Sequence, residues 1–209
     1  MLIADARNRR IVEVSADGHV IREFSHIDLN SPVELQDPHD VRALPEDRLL
    51  ITDSQQDLVM AVDWSGSVHQ AVGGNGSINL DDPHSAQQLE DGSIVIADTG
   101  HHRIVMVEPH GMEIREISSI HADSSSLRLH YPRYVEVAQD GTMVIADTGH
   151  NRILVATLTR RFIWEFSQVP DLPPPLLNQP RWVKLINPNE VVICDYFNHR
   201  ILHVRNEIP

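Results

Sequence analysis

The chain is built from a repeated segment, and this repeat limits the possible folds more than any other feature. Five copies align on an aspartate that ends an apolar run, in the stretches IADARNRRIVEV, ITDSQQDLVMAV, IADTGHHRIVMV, IADTGHNRILVA and ICDYFNHRILHV. These aspartates recur every 45 to 49 residues and are Asp5, Asp53, Asp98, Asp147 and Asp195. A proline lies 15 residues before each of the last four, at Pro38, Pro83, Pro132 and Pro180. Two markers that keep one register indicate a genuine structural repeat.

Each repeat holds four short segments that are typical of β-strands. In the fourth repeat they are RYVEVAQ, TMVIADT, RILVATL and FIWEFSQ, which are rich in Val, Ile, Thr and aromatic residues. No window shows a sustained helical period. Four strands in about 45 to 50 residues are typical of a β-propeller blade, which must stack on neighbouring blades to bury both of its faces. The sequence therefore predicts an all-β propeller with about 18 strands.

The repeat resembles the NHL-repeat family of β-propellers. The shared pattern is P-x-x-V…D-G-x-x-x-I-A-D-x-x-x-x-R-I, and Asn198-His199-Arg200-Ile201 is close to the triplet that names the family. The resemblance covers essentially the whole chain. It implies four-stranded blades, most often six of them, but it implies no single activity, because such propellers carry unrelated functions.

One domain is expected over residues 1–209, with approximate repeats 1–31, 32–77, 78–126, 127–174 and 175–209. The first repeat lacks the segment that carries the marker proline and the last lacks a fourth strand, so we expect three complete and two partial blades. Six blades of about 48 residues would need roughly 290 residues. We therefore expect a truncated N-terminus and membership of a six-bladed ring, with a five-bladed ring that has incomplete terminal blades as the alternative. Open blade edges are expected to promote self-association.

The tripeptide Asp-Thr-Gly at residues 98–100 and 147–149 matches the aspartic-protease motif, but the repeat argues against that activity. A protease dyad needs two carboxylates in contact, whereas successive blades hold these aspartates apart. We expect each aspartate to cap the turn after the second strand by accepting backbone N–H bonds. Its predicted partner is an arginine five residues later, which is present in four repeats as Arg10, Arg103, Arg152 and Arg200.

Charge and composition exclude several classes of partner. The net charge of −13 would repel a phosphate backbone, so no nucleic-acid partner is expected. No apolar stretch approaches the length of a membrane span and no signal region is present, so no membrane partner is expected and the compartment stays open. A single cysteine, Cys194, excludes an internal disulfide framework.

Candidate site residues follow the marker prolines, where the innermost strand of each blade begins. Equivalent positions on these strands converge on the central channel, and the loops that lead into them open on one face. The positions hold two imidazoles and two guanidiniums, namely His39, His84, Arg133 and Arg181. The histidines are candidate catalytic residues because imidazole exchanges protons near neutral pH. The arginines are candidate anion ligands because guanidinium binds sulfate or carboxylate through two parallel bonds.

Two neighbouring residues complete the candidate ligand-binding set. Asp40 follows His39, and Trp182 lies two residues into an inner strand. No metal site is predicted, because the adjacent pair His101 and His102 has no further ligands in reach. No cofactor is predicted either.

Two kinds of function remain open. The first is a binding or scaffold module that holds a protein or a small anionic ligand at the channel mouth. The second is an enzyme: bacterial arylsulfotransferases have a broadly similar propeller, and PHDVRALPEDRLLITD resembles their His-containing inner strands, which implies group transfer through histidine. Streptogramin and peptide-amidating lyases suggest a metal-dependent lyase, which is less favoured because such a site needs about three protein ligands and the ring offers two histidines.

Overall fold

The computed structural model of the chain describes residues 1–29, 31–74, 76, 78–109, 114–122, 125–169, 173–174 and 176–206. This part of the chain has 22 strands, of which 18 belong to five antiparallel blades arranged as a β-propeller. Three blades have four strands and the first and last have three. The predicted all-β fold is confirmed, including its three complete and two partial blades. That the five blades belong to a six-bladed ring stays a prediction.

The first two blades are separated by a short hairpin. Blade 1 contains β1 (Leu2–Asp5), β2 (Arg10–Val14) and β3 (Val20–Phe24). The hairpin pairs β4 (His26–Asp28) with β5 (Pro32–Glu34). Blade 2 contains β6 (Pro38–Leu44), β7 (Arg48–Asp53), β8 (Leu58–Val62) and β9 (Val68–Gly73).

A second hairpin follows blade 3. Blade 3 contains β10 (Pro83–Gln88), β11 (Ile94–Asp98), β12 (Arg103–Val107) and β13 (Ile114–Ile117). The hairpin pairs β14 (Ser119–Ala122) with β15 (Ser125–Arg128). Blade 4 contains β16 (Pro132–Val137), β17 (Thr142–Asp147), β18 (Arg152–Thr157) and β19 (Phe162–Phe166). Blade 5 contains β20 (Pro180–Asn187), β21 (Glu190–Asp195) and β22 (Arg200–Arg205).

The hydrophobic core is divided among the gaps between neighbouring blades. In β11, Val95 and Ala97 pack against blade 4, whereas Ile94 and Ile96 pack against blade 2. Successive strand residues point to opposite faces. A strand buried on both faces is therefore apolar throughout, which explains why the repeat shows an unbroken run such as IVIA instead of strict alternation.

In blades 2 to 5, the repeated aspartate accepts a backbone N–H from the loop that precedes the innermost strand. Asp147 Oδ1 accepts the backbone N–H of His130 at 2.7 Å, and Asp98 Oδ1 accepts that of Asp81 at 2.8 Å. The predicted cap on the following turn is wrong for Asp147, whose side chain makes no such bond. The loop N–H groups, 17 residues earlier, lie closer because the hairpin of the first two strands brings them beside the carboxylate.

The predicted arginine partner of this aspartate is found in all four repeats that carry it. The Nε–Oδ2 distances are 2.7 to 2.8 Å for the pairs Asp5–Arg10, Asp98–Arg103, Asp147–Arg152 and Asp195–Arg200. In the second repeat, Gln56 donates to Asp53 at 2.9 Å instead. The aspartates are therefore structural anchors.

Among the described residues, no helix is long and apolar enough to cross a membrane.

Candidate functional site

A β-bulge at the start of four innermost strands places the candidate residues together. In blade 2 the ladder passes from Pro38 opposite Asp53 to Asp40 opposite Thr52, which leaves His39 without a partner in the ladder. The same shift occurs at Pro83, Pro132 and Pro180. The bulged residues are His39, His84, Arg133 and Arg181. Because a bulge re-aims the side chain of its extra residue, all four side chains turn into one space.

That space is a cavity of about 230 Å³. Its lining comprises His39, Asp40, His84, Arg133, Tyr134, Arg181 and Trp182. All six residues predicted from the sequence are therefore brought together in one cavity. Tyr134 was missed, although it stands in the repeat position of Asp40 and Trp182 and the marker-proline register would have identified it.

His84 is buried and holds Arg133 in place. Its Nδ1 donates to the carbonyl oxygen of Asp82 at 2.9 Å, so its Nε2 accepts from Nη1 of Arg133 at 2.7 Å. Burial, together with the charge of Arg133, lowers the pKa of His84 to about 3. The imidazole is consequently neutral at pH 7 and acts as a hydrogen-bond acceptor for the guanidinium.

The two arginines bring positive charge that has no counterion within 4.0 Å among the described residues. Burial and the nearby charge of Arg181 both lower the pKa of Arg133. Arg181 lies over the ring of Tyr196, with 3.7 Å from its Cζ to the ring centroid. Its buried Nε has no hydrogen-bond partner in the described part of the chain. Tyr196, on the turn after β21, was not singled out in the sequence.

His39 lies beside the two arginines and contacts a carboxylate of its own. Its Nε2 is 3.0 Å from Oδ2 of Asp37, and its ring packs edge-on against His84 with centroids 4.3 Å apart. Asp37 therefore accepts the Nε2 proton, and Nδ1 is the basic nitrogen of His39.

Asp40 does not neutralise the site arginines. Its Oδ2 accepts from Nε of Arg42 at 3.2 Å, and burial raises the pKa of the carboxyl. Trp182 and Tyr134 form an aromatic wall of the cavity, with their ring centroids 5.8 Å apart. The Trp182 side chain is 40% exposed. The site thus combines two guanidiniums, a neutral acceptor, a carboxylate–imidazole pair and an aromatic wall. Within the described residues, no group of three or more potential metal ligands occurs.

No protein-family model matches the chain, and no curated protein matches it. Several solved structures are similar to the chain. One is a Bacteroides caccae protein of unknown function, which is 17% identical to this chain with a TM-score of 0.57. The match covers 75% of this chain and 58% of that protein. Another is virginiamycin B lyase from Staphylococcus aureus, in the catalytically inactive H270A variant with quinupristin. It is 13% identical with a TM-score of 0.59, and the match covers 99% of this chain and 66% of the lyase.

A third similar structure is the extracellular domain of the one-component system BT4673 from B. thetaiotaomicron. It is 11% identical with a TM-score of 0.63, and the match covers 97% of this chain and 26% of that one. The chain thus spans less than two thirds of the length of the first two structures. At these identities the similarity establishes the propeller fold and leaves the activity to be argued from the site.

Proposed function

We propose that the chain is a binding module that holds a small anionic ligand at the mouth of its channel. One observation carries the proposal: Arg133 and Arg181 share a cavity of about 230 Å³ without a carboxylate within 4.0 Å among the described residues. Burial, and after it the charge of Arg181, lowers the pKa of Arg133, so the two guanidiniums repel each other. An anion between them would remove that repulsion and accept charge-assisted hydrogen bonds.

The surroundings of the arginines support this role. Neutral His84 fixes Arg133 without cancelling its charge, and the aromatic ring of Tyr196 supports Arg181. Both guanidiniums are therefore held in position before a ligand arrives, which reduces the entropic cost of binding. In this proposal His84 is a positioning residue, and Trp182 contacts the apolar part of the ligand.

Titration with sulfate and with small carboxylates tests the proposal. We expect saturable binding by calorimetry and a rise in melting temperature, because a ligand of the folded state stabilises it. Arg133→Lys and Arg181→Lys should each weaken binding by about tenfold, because lysine lacks the planar fork. Arg115→Lys, which changes an exposed arginine on β13, serves as the control. Unchanged affinity in both site variants would contradict the proposal.

The second candidate is group transfer at His39, and the Asp37–His39 bond favours it. This bond leaves Nδ1 of His39 available as a base or nucleophile beside two arginines that would hold an anionic donor. Incubation with a phenyl sulfate donor, followed by release of phenol, measures this activity. His39→Ala should abolish phenol release yet leave sulfate binding intact. Without release by the unaltered protein, the binding module stands alone.

We also propose that the repeats belong to the NHL type. The aspartate–arginine pair explains two fixed positions of the shared pattern, and the marker proline precedes the bulge in four blades. Exchanging blade 3 for a blade of an established NHL propeller should preserve folding, as judged by a single thermal transition. A misfolded chimera would argue against common ancestry of the blades.

A further inference from the structure

The charged groups of the cavity come from different blades according to their sign. Arg133 and Arg181 are supplied by blades 4 and 5, whereas Asp40 is supplied by β6 of blade 2. Of the described residues that line the cavity, Asp40 alone carries a carboxyl group. The cavity therefore has a positive part and a negative part, and a ligand can contact both.

Asp40 stands at a repeat position where blades 3, 4 and 5 have no acid. It is the first residue after the bulge and lies opposite Thr52 in the ladder. The equivalent pairs in the other blades are Ser85–Ala97, Tyr134–Ala146 and Trp182–Cys194. Because those blades form the same bulge with a hydroxyl or an aromatic residue at this position, the bulge itself does not require a carboxylate.

The contacts of Asp40 within the protein compensate its charge only in part. Its Oδ2 accepts from Nε of Arg42 at 3.2 Å and from the backbone N–H of Ala86 at 3.4 Å. Strong charge-assisted bonds are shorter, at about 2.7 to 2.9 Å. Arg42 is also shared, because its Nη2 donates to the carbonyl oxygen of Val135 at 3.2 Å and its Cζ lies 5.1 Å from the ring centroid of Tyr134. Burial raises the pKa of the Asp40 carboxyl although Arg42 acts to lower it.

The cavity can therefore accept ligand groups of both signs. Arg133 and Arg181 have no carboxylate within 4.0 Å among the described residues, and Asp40 has one long contact with a guanidinium that other groups share. A simple anion would satisfy the arginines but would add repulsion at Asp40. A ligand with a separate negative and positive group would satisfy both parts of the cavity.

The size of the cavity and its aromatic wall restrict that ligand further. A volume of about 230 Å³ holds one small molecule, so a ligand whose anionic group contacts the arginines also reaches Asp40. Tyr134 and Trp182 hold the same repeat position as Asp40, and their rings offer apolar surface to the rest of the ligand. An α-amino acid combines a carboxylate, an ammonium group and a side chain on one carbon atom, which matches these three parts of the cavity.

We propose that the cavity binds an apolar α-amino acid in its zwitterionic form. The carboxylate of the ligand accepts hydrogen bonds from Arg133 and Arg181, and its ammonium group donates to Asp40. Its side chain packs against Trp182 and Tyr134. This inference rests on the proposed function, because it specifies the anionic ligand of the same site. Simple anions and simple amines are selected against, because each leaves a charged group of the site without its partner.

Three ligands that differ by one group test the inference on the unaltered protein by calorimetry. Leucine has both charged groups, 4-methylpentanoate lacks the ammonium group, and 3-methylbutylamine lacks the carboxylate. Leucine should bind at least about tenfold more tightly than either analogue, which is the size of the effect for a hydrogen bond to a charged group. Leucine that binds no more tightly than one of them, or not at all, overturns the inference. Saturable binding of sulfate or 4-methylpentanoate would then still support the anion site, whereas the absence of all anion binding refutes the proposed function as well.

A pair of variants separates contact with the ammonium group from a structural role of Asp40. Asp40→Asn keeps the shape of the side chain and removes its charge, so it should weaken leucine binding about tenfold without weakening that of 4-methylpentanoate. Glu46→Gln removes the same charge from the exposed turn between β6 and β7 and should change neither affinity. Melting temperatures show whether the variants fold, and the ligand series on the unaltered protein decides the question if Asp40→Asn does not. Equal weakening of both ligands by Asp40→Asn would mean that the carboxylate acts only by holding Arg42, and the inference would fail.

Discussion

Individual aspartates in equivalent positions make unequal contributions to stability. Asp98 accepts hydrogen bonds from the backbone of Asp81 and from the side chains of His101 and Arg103, and its side chain is 0% exposed. Asp5 pairs with Arg10 in the same way, but its side chain is 25% exposed. Water can replace the partner at Asp5, whereas at Asp98 it cannot enter. Burial therefore decides the cost of removing the carboxylate.

Asp98→Ala should lower the free energy of unfolding by about 3 kcal/mol, because it leaves Nε of Arg103 and the backbone N–H of Asp81 without an acceptor in a buried place. Asp5→Ala should cost clearly less, because exposed ion pairs contribute little. Urea denaturation of both variants measures the difference. Equal losses would show that burial does not control the pair. Selective loss of an activity at unchanged stability would instead revive a catalytic role for Asp98.

Neutral His84 should make the protein less stable in acid. Its pKa is lowered to about 3, so the unfolded chain takes up a proton near pH 6.5 that the folded chain refuses until about pH 3. Stability is unaffected above pH 6.5 and falls between these values, by about 1.4 kcal/mol per pH unit for one proton. In His84→Gln this contribution should vanish. Parallel stability curves for the two proteins between pH 7 and pH 4 would contradict the assignment.

The four bulged residues show what can be predicted from the sequence at this level. The proline register was enough to group His39, His84, Arg133 and Arg181, because equivalent positions of stacked blades converge on the axis. The register could not indicate which atoms meet. The Arg133–His84 bond depends on side-chain directions that a bulge sets, and no sequence pattern marked the bulge.

Short secondary-structure elements were the least predictable part of the fold. The sequence predicts loops where the chain leads into the inner strands of blades 2 and 4, and the structure has a two-stranded hairpin in each. Their strands are three or four residues long and largely polar, so they carry too little periodicity to be detected. A single buried residue in each, Ile27 or Ile120, fixes the hairpin to the blades.

Ile120→Ala should destabilise the protein by about 2 to 5 kcal/mol, the range for truncating a fully buried isoleucine. Ile120 is 0% exposed and packs into the core between blades 3 and 4, so the loss should extend beyond the hairpin. Ile186→Ala, on the surface of β20, is the matched control and should be nearly neutral. Similar values for the two variants would mean that the hairpin is not anchored to the core.

Across the molecule, each apolar core lies between two blades, so every inner blade is covered on both faces and the two outer blades on one. The exposed large apolar residues reflect this arrangement. Most of them lie on blade 1 and blade 5 or on the turn of blade 5: Met1, Ile3, Val20, Ile21, Trp182, Ile186, Tyr196, Phe197 and Ile201. Exposed large apolar side chains on an outer face favour association.

We propose that these outer faces associate weakly, against the repulsion of a net charge of −13. Added salt screens that repulsion, since the Debye length falls from about 10 Å at 0.1 M to about 3 Å at 1 M, and leaves apolar attraction intact. Sedimentation should therefore show more self-association at high salt. Ile21→Lys and Ile186→Lys should each reduce it, whereas Leu176→Lys, which changes an exposed loop residue, should not. If the unaltered chain stays monomeric at both salt concentrations, the outer faces are not association surfaces. If self-association weakens as salt is added, ion pairs and not apolar contacts drive the association.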